Sequence, residues 1–99
     1  MHDLTIQHKI LTIPGLNNSG PAHWQSLWER RFVHCERVEL GQWDAPDKDL
    51  WVERIAAAID AEHDPVLIVA HSLGCYAVAH WFAGASSGAR DRIVGALVV

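Results

Sequence analysis

Pro65-Val66-Leu67-Ile68-Val69-Ala70-His71-Ser72-Leu73-Gly74 is an apolar run that stops at a serine with a very small residue two positions away on either side. Val66 to Val69 are aliphatic and mostly β-branched over one strand length, which suits a central parallel strand covered on both faces. Directly after the serine, Leu73, Tyr76, Ala77, His80 and Trp81 recur at three- and four-residue spacing, the period of a helix. Strand, sharp turn and helix in that order lift a side chain clear of the backbone, provided its neighbours are small. Ala70 and Gly74 meet that condition, and Ser72 is the candidate nucleophile. The competing reading is a serine that only N-caps the following helix. As a nucleophile, Ser72 is expected at the carboxyl edge of a parallel sheet, where open α/β sheets bind their ligands.

Outward from that segment the chain alternates between strand-like and helix-like stretches. Lys9 to Pro14 is a short β-rich run, followed by Pro14-Gly15-Leu16-Asn17-Asn18-Ser19-Gly20, a loop by composition. Pro21 suits the first position of a helix whose apolar face is Trp24, Leu27, Trp28 and Phe32. Glu36 to Leu40 is a second strand. Gln42-Trp43-Asp44-Ala45-Pro46-Asp47 breaks the pattern, and Leu50 or Trp51, Ile55 and Ile59 mark a helix that runs to about Glu62. Val66 to Ala70 is the third strand, Leu73 to about Ala83 the third helix, Gly84 to Gly88 a loop, and Arg92 to Val99 a fourth strand. This order is the signature of βαβ units. It predicts an α/β fold, a three-layer sandwich around a mostly parallel central sheet. No repeat, low-complexity tract or linker divides the chain. The apolar run Ile93 to Val99 has no turn or polar terminus after it, so residues 1–99 are expected to be the N-terminal part of a single domain, interrupted after its fourth strand.

Composition narrows the function classes. The 99 residues are 49% hydrophobic and 20% charged, a globular rather than a disordered balance. Eight basic against twelve acidic side chains give a net charge of −4 without a basic block or stripe, which argues against nucleic acid as a partner. Met1 to Lys9 has no apolar core of signal-peptide length, and no stretch is apolar enough to span a membrane. Two cysteines, Cys35 and Cys75, do not make a disulfide framework. Both read as buried free thiols in a reducing, cytoplasmic setting. The histidines have no metal-ligand spacing, and neither a metal nor another cofactor is expected. Of the five tryptophans, Trp24, Trp28, Trp51 and Trp81 fall on apolar helix faces, which leaves Trp43 as the candidate surface contact for a ligand.

The chain resembles the α/β-hydrolase superfamily, and within it the small serine hydrolases of the retinoblastoma-binding-protein and YdeN type. Four segments carry the resemblance: Ile13 to Pro21 with His23-Trp24-Gln25, then Gln42-Trp43-Asp44 with Pro46, then Trp51, then Ala70-His71-Ser72-Leu73-Gly74-Cys75. It implies the α/β-hydrolase fold and a compact hydrolase with little or no lid. Ala70 stands where the usual elbow has a glycine. In this superfamily the triad follows the order serine, acid, histidine, on loops after later strands. After Ser72 the sequence offers His80 and then Asp91, the wrong order, so the base and the acid are expected beyond Val99.

A serine hydroxyl needs a base to take its proton and two donors aimed at the developing oxyanion. The expected donors are the backbone N–H of Leu73, directly after the nucleophile, and that of Leu16, with Asn17 next. Asn17, His23 and Trp43 are the candidate substrate contacts; a helix-cap role for His23 is an equal alternative. His71 adjoins Ser72, but neighbours on a tight turn point apart, so a packing role is expected for it. The functional expectation is a serine hydrolase that cleaves small esters, with amides or peptides as further candidates, through an acyl-enzyme at Ser72. The alternatives are an acyltransferase using the same serine and a non-catalytic interaction protein. Against retinoblastoma binding, neither cysteine lies in a Leu-x-Cys-x-Glu motif. The sequence leaves the oligomeric state open.

Overall fold

The computed structural model describes residues 8–99; most of the Met1 to Lys9 segment, His2 included, lies outside the described residues. Four strands, β1 (Lys9–Ile13), β2 (Cys35–Arg37), β3 (Val66–Ala70) and β4 (Ile93–Val98), form one sheet in the order β2-β1-β3-β4, and every pairing is parallel. The connections carry α1 (Trp24–Arg31), α2 (Lys48–Asp60), α3 (Leu73–Gly84) and the one-turn α4 (Ser87–Arg90).

Strand alternation sorts the core into two layers. Leu11, Ile13, Val66, Ile68 and Ala70 face one way and pack with Trp51, Ile55 and Ile59 of α2 and Ala77 and Trp81 of α3. Ile10, Cys35 and Val69 face the other way, toward Trp24, Trp28 and Phe32 on and after α1. Helices therefore lie against both faces, and β3 reads as an unbroken apolar run because four of its five residues are buried, with only Leu67 half so. Ile55, Ile59 and Val66 are fully buried, each worth about 1.5–3 kcal/mol of apolar burial. Asp47 starts α2 sharply, its carboxylate accepting the N–H groups of Asp49 and Leu50 at 2.9 and 3.2 Å.

The third strand and third helix stand where the sequence puts them; three other elements do not. The second strand is Cys35–Arg37 rather than Glu36 to Leu40. The Val38 N–H still reaches the Thr12 carbonyl at 2.9 Å, but Val38 and Leu40 are buried with Trp51 and the other residues of the α2 side; their alternation reflects that burial, not ladder pairing. The first helix begins at Trp24, not Pro21, because His23 caps it, and Pro21 and Ala22 form a turn. Leu27, placed on its apolar face, is exposed. The stretch read as a Gly84 to Gly88 loop instead holds the end of α3 and the start of α4, which is capped by the Ser86 hydroxyl accepting the Ala89 N–H at 3.1 Å. Among the described residues no helix is long and apolar enough to cross a membrane.

The topology fixes where a ligand can bind. From β1 the chain turns to β2 on one side, whereas from β3 it turns to β4 on the other, so the sheet's switch point lies between the carboxyl ends of β1 and β3. That crevice is the ligand-binding position of open α/β sheets. The first turn of α3 rises directly beside it: a Cβ on Gly74 would stand 2.3 Å from the Pro14 carbonyl oxygen and 2.5 Å from that of Ile13. Gly74→Ala should therefore cost about 2–3 kcal/mol, read as a lower midpoint in urea with an unchanged slope. An unaltered midpoint would mean that the helix does not sit against the strand end.

Candidate active site

Ser72 lies between β3 and α3 with φ 55° and ψ −126°, a conformation that costs a non-glycine residue on the order of 1–3 kcal/mol. Its hydroxyl makes no capping hydrogen bond, so the reading of Ser72 as a simple N-cap does not hold. Backbone bonds fix the turn on three sides. The Ser72 N–H donates to the Val99 carbonyl at 2.9 Å, that of Gly74 to His71 at 3.0 Å, and that of Cys75 to Ser72 at 2.9 Å. The side chain is exposed at the carboxyl edge of the sheet, as the sequence leads one to expect, and the topology adds that this is the switch point.

The loop after β1 crosses directly over this turn. A Cβ on Gly15 would lie 2.9 Å from the Ser72 Cβ and 3.1 Å from the Leu73 nitrogen, so glycine is needed for the two loops to touch. Among the described residues neither the Leu16 nor the Leu73 N–H has a hydrogen-bond acceptor. Asn17 differs: its N–H donates to the Trp43 carbonyl at 2.7 Å, which leaves it no proton for an oxyanion, although its side chain is exposed. Asn17 and Asn18 are both left-handed, with φ of 62° and 66°, a region that asparagine tolerates better than most residues.

His23 caps α1, its Nδ1 accepting the Gln25 N–H at 3.1 Å. This requires a neutral imidazole with the proton on Nε2. Its ring centroid is 4.5 Å from that of His71, whose own ring meets Trp24 edge-on. The expected packing role of His71 is thus what the structure provides, with its Nδ1 buried and, among the described residues, without a partner. Trp43 is not the free surface aromatic that its loop position suggests. It is half-buried, edge-on to Trp51 at 5.7 Å, and its carbonyl is the tether for Asn17. Burial pushes the Cys35 thiol up to about 11, so it stays protonated at neutral pH. Cys75, expected to be buried, is only half so, with its Sγ 3.7 Å from the Val99 carbonyl.

His80 and Asp91 stand away from Ser72. His80 is exposed eight residues along α3, a rise of about 12 Å, in a cleft with Trp51 and Tyr76. Asp91 precedes β4 and so lies at the opposite edge of the sheet, roughly one strand length or about 17 Å away. Among the described residues no group of three or more His, Cys, Asp or Glu could hold a metal ion.

Sequence reasoning assigned no role to the polar residues that hold these loops. Gln25, fully buried, donates from its amide to the carbonyls of Ile13 (3.2 Å) and Val69 (3.0 Å) and accepts the Ser19 hydroxyl at 2.6 Å. It clamps the ends of β1 and β3 at the switch point. Arg37 pairs with Glu29 at 2.9 Å, and the Thr12 hydroxyl donates to the same carboxylate. Gln25 stood in one of the segments that carry the family resemblance, His23-Trp24-Gln25, but Ser26 and Arg37 had no signal, since the apolar face read from the sequence was Trp24, Leu27, Trp28 and Phe32.

With this geometry the chain belongs to the serine hydrolase family, which it matches over residues 10–99; it is a small serine hydrolase family member of α/β-hydrolase type. A solved structure of a YdeN-like hydrolase from Pectobacterium atrosepticum is similar over 96% of this chain, with 33% sequence identity and a TM-score of 0.83. The chain spans 50% of that protein's length. No curated protein matches it.

The strained turn and the half-buried His23 imidazole each make a measurable difference. Glycine adopts the Ser72 conformation without strain, so Ser72→Gly should be more stable than Ser72→Ala by about 1 kcal/mol, measured by urea unfolding; the reverse order would mean a relaxed turn. Burial holds the His23 imidazole below its ordinary pKa of 6.5, and the neighbouring His71 and Arg37 act in the same direction. The unfolded chain then binds this proton more readily than the folded one, and stability falls as the pH drops from 6.5 through the lower folded value. His23→Asn, which keeps an N-cap acceptor, should flatten that acid limb. An identical pH dependence in both proteins would place the titration elsewhere.

Proposed function

We propose that this chain is the N-terminal part of a single-domain hydrolase that cleaves small esters, or amides and peptides, through an acyl-enzyme at Ser72. In this reading the β3–α3 turn is a nucleophile elbow. The Ser72 Oγ adds to the substrate carbonyl carbon while a histidine takes the hydroxyl proton. The leaving alcohol departs with that proton, and water then cleaves the acyl ester. The N–H groups of Leu73 and Leu16 hold the oxyanion, each worth about 10² to 10³ in rate. The base and its carboxylate are assigned to residues outside these 99, because His80 and Asp91 both stand away from Ser72.

The observation that carries the reading is the strained, exposed and uncapped Ser72 beside two unengaged N–H groups, at the switch point of a parallel sheet. Strain of this kind persists only where the surroundings impose it, and it gathers at functional sites. Asn17 and His23 line the approach through their side chains. Trp43 supports the loop from behind. The partner is a small molecule rather than nucleic acid or membrane, in keeping with the charge of −4, and the free thiols of Cys35 and Cys75 suit the cytoplasm.

The test is covalent labelling. A fluorophosphonate should modify Ser72 in the full-length protein and p-nitrophenyl acetate should be hydrolysed, with both lost in Ser72→Ala. Gly15→Ala should lower kcat at least tenfold by pushing the two loops apart. Labelling that survives Ser72→Ala would reject this nucleophile, and acyl transfer to an added alcohol in preference to water would make the enzyme a transferase.

A further inference from the structure

Leu16 sits between two anchors. On one side Gly15 is wedged against Ser72 and Leu73. On the other, the carbonyl of Ser19 and the Oδ1 of Asn18 accept Nη1 of Arg37 at 2.8 and 3.0 Å. The same guanidinium gives Nη2 to the Ser26 hydroxyl at 2.6 Å and Nε to Glu29 at 2.9 Å. Its side chain is only 15% exposed, although it stands at the end of a three-residue edge strand where an arginine could extend into water. Neutralising the charge needs Glu29 alone. The remaining donors are spent on the loop after β1 and on Ser26, whose hydroxyl in turn donates to the Gly20 carbonyl at 2.6 Å.

We propose that Arg37 is a positioning residue for the oxyanion site: by holding Asn18 and Ser19 it fixes the left-handed pair Asn17-Asn18 and with it the direction of the Leu16 N–H. This rests on the reading of Ser72 as the nucleophile and extends it to a residue that never meets substrate. Two consecutive left-handed residues persist only if something over-determines them. Without Arg37, the Asn18 Oδ1 would keep only the adjacent Ser19 N–H, and the Ser19 carbonyl only a long contact from Ser26 at 3.3 Å. The Asn17 N–H would still reach Trp43 and the Asn18 N–H would still close the turn on the Gly15 carbonyl at 3.1 Å, but that turn, with Leu16 51% exposed, would lose the side-chain tie that fixes its orientation against the sheet. Lysine could not substitute, since one ammonium cannot serve Glu29, Asn18, Ser19 and Ser26 in their diverging directions, whereas a planar fork can.

An oxyanion donor acts on the transition state more than on the bound ester, so its misplacement lowers kcat and leaves KM nearly unchanged. In the full-length protein, Arg37→Met should reduce kcat for p-nitrophenyl acetate by about 10², with KM within about threefold, and slow fluorophosphonate labelling of Ser72 in parallel. Arg37→Lys should recover only part of the rate. Asn18→Gly keeps the left-handed backbone and removes the Oδ1 acceptor; it should lower kcat about tenfold by itself and add little to Arg37→Met, because both changes release the same tether. Unchanged kcat in the folded Arg37 variants, a loss confined to KM, or full additivity in the double variant would overturn the proposal. If Arg37→Met does not fold, Asn18→Gly decides alone, and wild-type kcat in that variant sinks the idea. A wild-type protein with no Ser72-dependent labelling or hydrolysis would remove the proposed nucleophile and this inference together, a result distinct from an active enzyme indifferent to Arg37.

Discussion

Residues 13–15 pass over the first turn of α3 at a distance that excludes side chains, and the candidate site depends on that contact. Gly74 lets the helix backbone meet the carbonyls of Ile13 and Pro14, and Gly15 lets the loop meet Ser72. Neither approach could be relaxed alone, because β1 and β3 are paired over five residues from Lys9↔Val66 to Ile13↔Ala70. The ladder sets the height of both strand ends, and the two glycines turn equal height into contact. What results is an exposed serine with unengaged N–H groups on either side, at the one place where the sheet parts in two directions.

The loop that leaves β1 at this junction carries buried backbone carbonyls beneath α1, and this explains the polar character of that helix. Its buried residues are Gln25 and Ser26, an unusual pair for the inner face of a helix. Gln25 binds one carbonyl from each of the two paired strands, that of Ile13 in addition to its bond from the His71 N–H, and Ser26 and Arg37 satisfy the loop that leaves β1. A buried amide left without partners would cost about 1–3 kcal/mol, so the network stabilises only when complete. Completeness ties loop geometry to the sheet: Gln25 cannot keep its bonds to Ile13 and Val69 unless Ser19, and therefore the loop, is in place.

How much of this was legible in the sequence follows from how local each determinant is. Val66 to Ala70 and the helix after Ser72 were readable because a strand covered on both faces and a helix that is apolar along most of its length each announce themselves within about ten residues. The extent of β2 was not, since Val38 and Leu40 alternate like a strand while being buried by α2. Pro21 marked a turn before α1 rather than its first residue, because the cap is supplied by His23, an uncommon N-cap. Ser72 and Leu16 could be proposed from motif spacing. Arg37 and Gln25 could not, as their partners lie up to 44 positions away and depend on which helix covers which face.

The distribution of backbone strain supports the same location without reference to sequence motifs. Among the described residues four non-glycine positions have positive φ: Asn17, Asn18, Gln42 and Ser72. Three belong to the two loops at the switch point. The fourth lies in the Gly41-Gln42 turn, held by the Trp51 indole on the Gly41 carbonyl at 2.8 Å, and that turn delivers the Trp43 carbonyl to Asn17. At on the order of 1–3 kcal/mol each, the four together are comparable with the net stability of a small domain. Strain on that scale is kept only when burial elsewhere offsets it, as the α2 side of the core does. A loop needed only for connection would relax, so strained positions that converge from three separate segments mark geometry maintained against a cost, around Ser72.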